Sequence, residues 1–132
     1  MRLEISELKS YMEEHFPKST YIDFGIDKME YDMPKRRLQI TLAHYKRGSP
    51  EFIFTFKDVQ GYSLIQEIFF QGDNFEWLGL LGVSKESSFT KFIAPEKSYP
   101  LEMLNLRSFR VLSQNNIMDV VCREEIEIKI ND

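Results

Sequence analysis

The side chains best suited to chemistry in this chain are Cys122, His15 and His44, and their spacing supports little of it. No two of them lie at the short separation by which zinc sites are built, so neither a metal site nor a cofactor is expected. Cys122 and His44 form a thiol–base pair only if folding brings them together. Cys122, however, continues the apolar phase of Met118 and Val120. A thiol buried in such a setting is less acidic and inert. The chain has no G-x-S-x-G elbow, no H-E-x-x-H and no Gly-rich phosphate loop. Acids are plentiful, but no pair is singled out for paired-carboxylate catalysis. The expectation is a protein that is not an enzyme and has no catalytic residues.

Binding chemistry is better represented. Asp23, Asp27, Glu30 and Asp32 fall on one segment of period two. The apolar set Ile22, Phe24, Ile26 changes phase to Met29 and Tyr31, the mark of a β-bulge near Asp27-Lys28. That bulge keeps all four carboxylates on one face. Such a row is either a plain solvated face, relieved by Lys28 and the cross-strand Arg37, or a docking surface for a basic partner. The basic residues form two small patches, Lys35-Arg36-Arg37 and Lys46-Arg47, at opposite ends of one strand. Neither is interleaved with stacking aromatics, so nucleic acid is not the expected partner. The segment holding Phe69, Phe70, Phe75, Trp77, Leu78, Leu80 and Leu81 is apolar in both phases. It is either a doubly covered core strand or an exposed anchor centred on Trp77, including a homodimer face.

The elements that must carry these residues follow from periodicity. Ile5, Leu8, Met12 and Phe16 share one face of a helix with Ser6 as its N-cap and Pro17 as its stop. From Thr20 the period becomes two. Strands through 22–32, 38–44 and 52–56 read as a meander with turns at Met33-Pro34-Lys35-Arg36 and Lys46-Arg47-Gly48-Ser49-Pro50. Residues 63–70 read as strand or helical turn. Strands follow at 75–83 and 89–93, then a loop from Pro95 to Pro100 and a helical turn through Leu104. The last strands contain Phe109 and Val111, then Met118 to Cys122, then Ile126 to Ile130 with Glu125, Glu127 and Lys129 facing water. No helix lies between consecutive strands, which excludes parallel crossovers. The fold class is therefore α+β, mostly β. An N-terminal helix packs on a strongly curved or partly closed antiparallel sheet of about seven to eight strands.

Length and composition agree. The 132 residues fit a single domain over 1–132, with 11 Phe and a net charge of -4. One cysteine cannot form an internal disulfide. No stretch reads as a signal peptide or a membrane helix, so a cytoplasmic location and no membrane partner are expected.

Two stretches, Phe54-Thr55-Phe56-Lys57-Asp58-Val59 and the hairpin from Leu112 to Val121, resemble small single-domain bacterial immunity proteins. The resemblance implies an inhibitor that neutralises a cognate toxin, and it transfers no site residues. The expected function is thus a protein-binding inhibitor of immunity type, acting on a basic toxin domain through Asp23, Asp27, Glu30 and Asp32, with Trp77 as apolar anchor. Two alternatives stand beside it. One is a structural or accessory protein that oligomerises through its aromatic segment. The other is a phage-type inhibitor of a host defence protein.

Overall fold

Phe52, Phe54 and Phe56 alternate with Glu51, Ile53 and Thr55, and that alternation sets the centre of the molecule. A strand with three consecutive inward rings must lie against a deep core, and all three are fully buried. The structure is a computed structural model; it describes residues 1–19, 23–65, 83–84, 91–94, 97–100, 105–114 and 116–131. Its strands are β1 (Arg2–Leu3), β2 (Phe24–Asp32), β3 (Arg37–His44), β4 (Glu51–Phe56), β5 (Val59–Ile65), β6 (Val83–Ser84), β7 (Lys91–Ala94), β8 (Lys97–Pro100), β9 (Arg107–Leu112), β10 (Ile117–Cys122) and β11 (Glu127–Asn131). A five-stranded antiparallel sheet has the order β1-β11-β4-β3-β2, with the Phe-bearing β4 in the middle. A second sheet has the order β5-β10-β9-β6, its last member only two residues long, and β7 and β8 form a separate ribbon.

Helix α1 (Leu8–His15) covers the inner face of the five-stranded sheet. Its Leu8 and Met12 are fully buried, and Tyr11 meets Phe52 edge-on with ring centroids 5.8 Å apart. The expected apolar face is present, but Ser6 is not its cap. A 3₁₀ turn at Ile5–Glu7 precedes the helix. The backbone N–H of Glu4 donates to Glu7 Oε1 at 2.9 Å, and the N–H of Glu7 donates back to the Glu4 carbonyl at 2.9 Å. This reciprocal pair satisfies donors that a helix start leaves orphaned, so the chain turns two residues before Ser6. At the other end the N–H of Phe16 closes on the Met12 carbonyl at 2.8 Å, and Pro17 follows.

The meander β2–β3–β4 has the expected turns and the expected irregularity. Register shifts between Ile26 and Lys28, which leaves Asp27 as the extra residue. In the first turn Arg36 takes a φ of 51° and donates its N–H to the Met33 carbonyl at 3.2 Å.

The sequence pattern predicts one strongly curved or partly closed sheet of seven to eight strands. The described residues instead carry eleven strands, arranged in two larger sheets and a ribbon, with no closed barrel. The cause is a bend that passes through paired strands. β4 pairs with β11, and β5 pairs with β10. Only Lys57 and Asp58 separate β4 from β5, and only residues 123–126 separate β10 from β11. One two-stranded ribbon therefore crosses both sheets and bends between them, a device by which strands switch sheets at corners. Asp58 has a φ of 51°, the register of β10 and β5 shifts at Val121/Cys122, and Arg123 donates its N–H to the Asp58 carbonyl at 3.3 Å. The Arg123 and Asp58 side chains pair at 3.4 Å over the same corner.

Residues Lys97–Pro100 correct a second expectation. They form β8 against β7, not a loop. Pro100 sits at the end of a strand in a two-stranded ribbon, where its missing N–H is tolerated. The segments 66–82, 85–90 and 101–104 lie outside the described residues, and with them all but the last residue of the strand expected at 75–83, the first two residues of the strand expected at 89–93, and the helical turn through Leu104.

The paired strands β9 and β10 at the centre of the second sheet are buried on both faces over most of their length. Phe109, Val111, Met118, Val120 and Cys122 join the common core. On the other face Leu112 and Val121 are buried, and so are Arg110 and Asp119. These two stand directly opposite each other on β9 and β10. Arg110 grips both carboxylate oxygens of Asp119, from Nε at 2.7 Å and from Nη2 at 2.9 Å.

Candidate functional site

The outer face of the five-stranded sheet is built by the pleat. With Phe52, Phe54, Ile40, Leu42 and Ile128 turned inward, their neighbours must point away from the core. Register aligns them in rows. Glu30 lies beside Gln39, then Thr55, then Glu127. Lys28 lies beside Thr41, then Ile53, then Lys129. The helix covers the opposite face, so this face carries the polar set.

A depression of about 230 Å³ opens on it, lined by Asp27, Lys28, Glu30, Gln39, Thr41, Glu51 and Ile53. The bulge explains its position. Two successive residues, Asp27 and Lys28, are accommodated where the partner strand offers one, so both side chains reach its rim. Lys28 Nζ pairs with Glu30 at 2.8 Å, and this contact holds the ammonium in its charged form to higher pH than usual. Among the described residues Asp27 and Glu51 enter no ion pair. Ile53 gives the depression an apolar wall.

The four acids expected to act together are thus placed differently from one another. Asp27 and Glu30 line the depression. Asp32 stands opposite Arg37, and its carboxylate accepts the Lys35 N–H at 3.3 Å, a local turn contact. Asp23 precedes β2, and its carbonyl accepts the Tyr45 N–H at 3.0 Å. Bases share the same face. Lys57 donates to Glu127 at 2.7 Å and holds that carboxyl below the usual range; partial burial opposes this, and Arg2 at 3.4 Å reinforces it. Trp77 lies outside the described residues, as does the aromatic segment around it. Sequence reasoning did not single out Glu51 and Ile53, whose place depends on the register of three strands.

The residues weighed for catalysis are apart. Cys122 is buried, and its Sγ donates to the Glu124 carbonyl at 3.3 Å. Burial pushes its thiol up to about 12, helped by Glu125, Asp58 and Glu124 and opposed by Arg107. His44 sits elsewhere, between Phe16, Phe24 and Tyr45. His44 does meet a hydroxyl, with Nε2 2.9 Å from Ser19 Oγ. The Lys46 N–H donates to His44 Nδ1 at 3.0 Å, so Nδ1 carries the lone pair. In the neutral ring the proton is then on Nε2, which donates to Ser19. A general base needs the opposite arrangement, an unprotonated nitrogen facing the hydroxyl. The pair therefore fixes the loop and does not activate the serine. Among the described residues no three His, Cys, Asp or Glu side chains converge as metal ligands, and no helix is long and apolar enough to cross a membrane.

No family model matches this chain, and neither a curated protein nor a solved structure matches it.

Proposed function

We propose that this protein is a binding domain, an inhibitor of immunity type, that docks on a basic toxin-like partner through the outer face of its five-stranded sheet. The observation that supports this reading is the depression between β2, β3 and β4. It offers two carboxylates, Asp27 and Glu51, that enter no ion pair among the described residues, beside Ile53 and Thr41. A lysine or arginine from a partner would lay its alkyl stem on Ile53 and its charge between the carboxylates. Glu30 and Asp32 extend the negative edge along β2, which speeds encounter with a cationic surface and orients it. A rigid sheet suits such docking, because a preordered surface loses little entropy on binding.

The test compares the native chain with a variant in which Asp23, Asp27, Glu30 and Asp32 are all serine. Each is immobilised and exposed to extract of the source cell at low and at high salt. The native chain should retain a cationic protein at low salt and release it at high salt, and the variant should lose it. Equal retention by both, with folding unchanged by circular dichroism, would sink the acidic-face reading.

A further inference from the structure

The loop between β3 and β4 carries a surface feature unrelated to the acidic face. We propose that it is a second docking point, at which Tyr45, Lys46 and Arg47 receive an acidic segment of another protein. Tyr45 is 78% exposed, the most exposed aromatic ring among the described residues. Exposed rings on loops are ordinarily mobile, but this one is braced. It stacks on His44 at 4.5 Å with the planes 28° apart. His44 is pinned through both ring nitrogens, to Ser19 Oγ and to the Lys46 N–H. Behind it stand Phe24 at 5.0 Å and Phe16 at 5.3 Å, both in the core. The Tyr45 backbone is tied in turn to the Asp23 carbonyl. A continuous chain of ring contacts, edge-on from Phe24, tilted from Phe16 and stacked at Tyr45, therefore runs from the core to an exposed phenol.

An aromatic ring held this way has little freedom left to lose, which is the property of an interface anchor. Tyrosine suits the role because it offers a large rigid contact with a polar tip. Beside it Lys46 and Arg47 are exposed and enter no ion pair among the described residues. Cations next to an apolar anchor select an anionic partner that also brings an apolar group. The surroundings favour a short acidic peptide segment over nucleic acid. Strand binders align several stacking rings along a basic groove, and here one ring and two cations stand on a chain of net charge -4.

The test uses the full chain and fluorescence polarisation with three labelled probes: an Asp/Glu decapeptide with one central Trp, the same peptide with Lys at every acidic position, and a ten-residue oligothymidylate. The acidic peptide should bind, and the other two should bind at least about tenfold more weakly. Tyr45→Ala and the double variant Lys46→Gln/Arg47→Gln should each weaken it by about tenfold, with unchanged thermal midpoints because all three side chains are exposed. His44→Gln, which removes the stacking platform, should give a smaller loss of the same sign. No binding of the acidic peptide, full binding by Tyr45→Ala, or tighter binding of the oligothymidylate would overturn the proposal.

Discussion

Removing Asp119 alone and replacing both members of the Arg110–Asp119 pair should have opposite consequences. The two side chains are 10% and 2% exposed and make two charged hydrogen bonds. Asp119→Ala takes both of these hydrogen bonds from a guanidinium on the face that also buries Leu112 and Val121, and removing one member of a buried pair costs about 3–5 kcal/mol. That is a large share of the roughly 5–15 kcal/mol that holds a domain together. Unfolding entropy of about 2.1 cal/mol/K per residue gives a chain of this length ~3–4 °C per kcal/mol, so the thermal midpoint should fall by ~10–18 °C. Arg110→Met/Asp119→Leu removes the charges and keeps apolar volume, so its stability should lie within about 1 kcal/mol of native or above it. Urea unfolding followed by circular dichroism measures both, provided the slope is unchanged. A loss under about 1 kcal/mol for Asp119→Ala would mean the pair behaves as a solvated surface contact, and the reasoning would fail.

Two further outcomes follow from the corner and the core. Cys122 ionises near 9 when unfolded and at about 12 when folded, so the unfolded state gives up its proton first as pH rises. Its contribution to stability is therefore complete below pH 9 and is lost between there and 12, and native Cys122 should resist a thiol reagent at pH 8 that labels it rapidly in urea. Asp58 holds a φ of 51°, where a Cβ costs roughly 1–2 kcal/mol unless the side chain is Asn or Asp; Asp58→Ala should lower the urea midpoint clearly more than Asp58→Asn, and equal midpoints would dismiss backbone strain at the corner.

The parts of the fold legible in the sequence are those with one dry and one wet face. The helix, β3, β4 and β11 each set fully buried positions against less buried ones at the period of the element, and the bulge at Asp27 shows as a slip in the apolar phase of β2. The second sheet gives no such signal. β10 has Met118, Val120 and Cys122 buried on one face and Asp119 and Val121 buried on the other, so its pattern reads as uniformly apolar with one acid. Arg110 and Asp119 were nonetheless within reach of inspection. Each is flanked by apolar residues, and the turn that Gln114-Asn115-Asn116 predicts places them in facing strands, where the register sets them opposite each other. The split into two sheets was not, because Asp58 is an ordinary residue in sequence and only its left-handed backbone reveals the corner.

The candidate site shows the same division between local and non-local information. Asp27 and Glu30 come from one strand, and the bulge that turns both toward the depression is written in that strand. Glu51 and Ile53 come from β4, two strands away, and reach the same place only because Ile53 lies beside Thr41 and Thr41 beside Lys28. A run of acids along β2 thus identifies charge but not a place for a partner to enter. The depression depends on register, and register depends on which residues face the core. Phe52, Phe54 and Phe56 set that choice for the central strand. A one-residue slip of β4 would turn those rings to water and carry Glu51 and Ile53 into the core. The same burial that stabilises the sheet therefore holds the proposed docking surface in place.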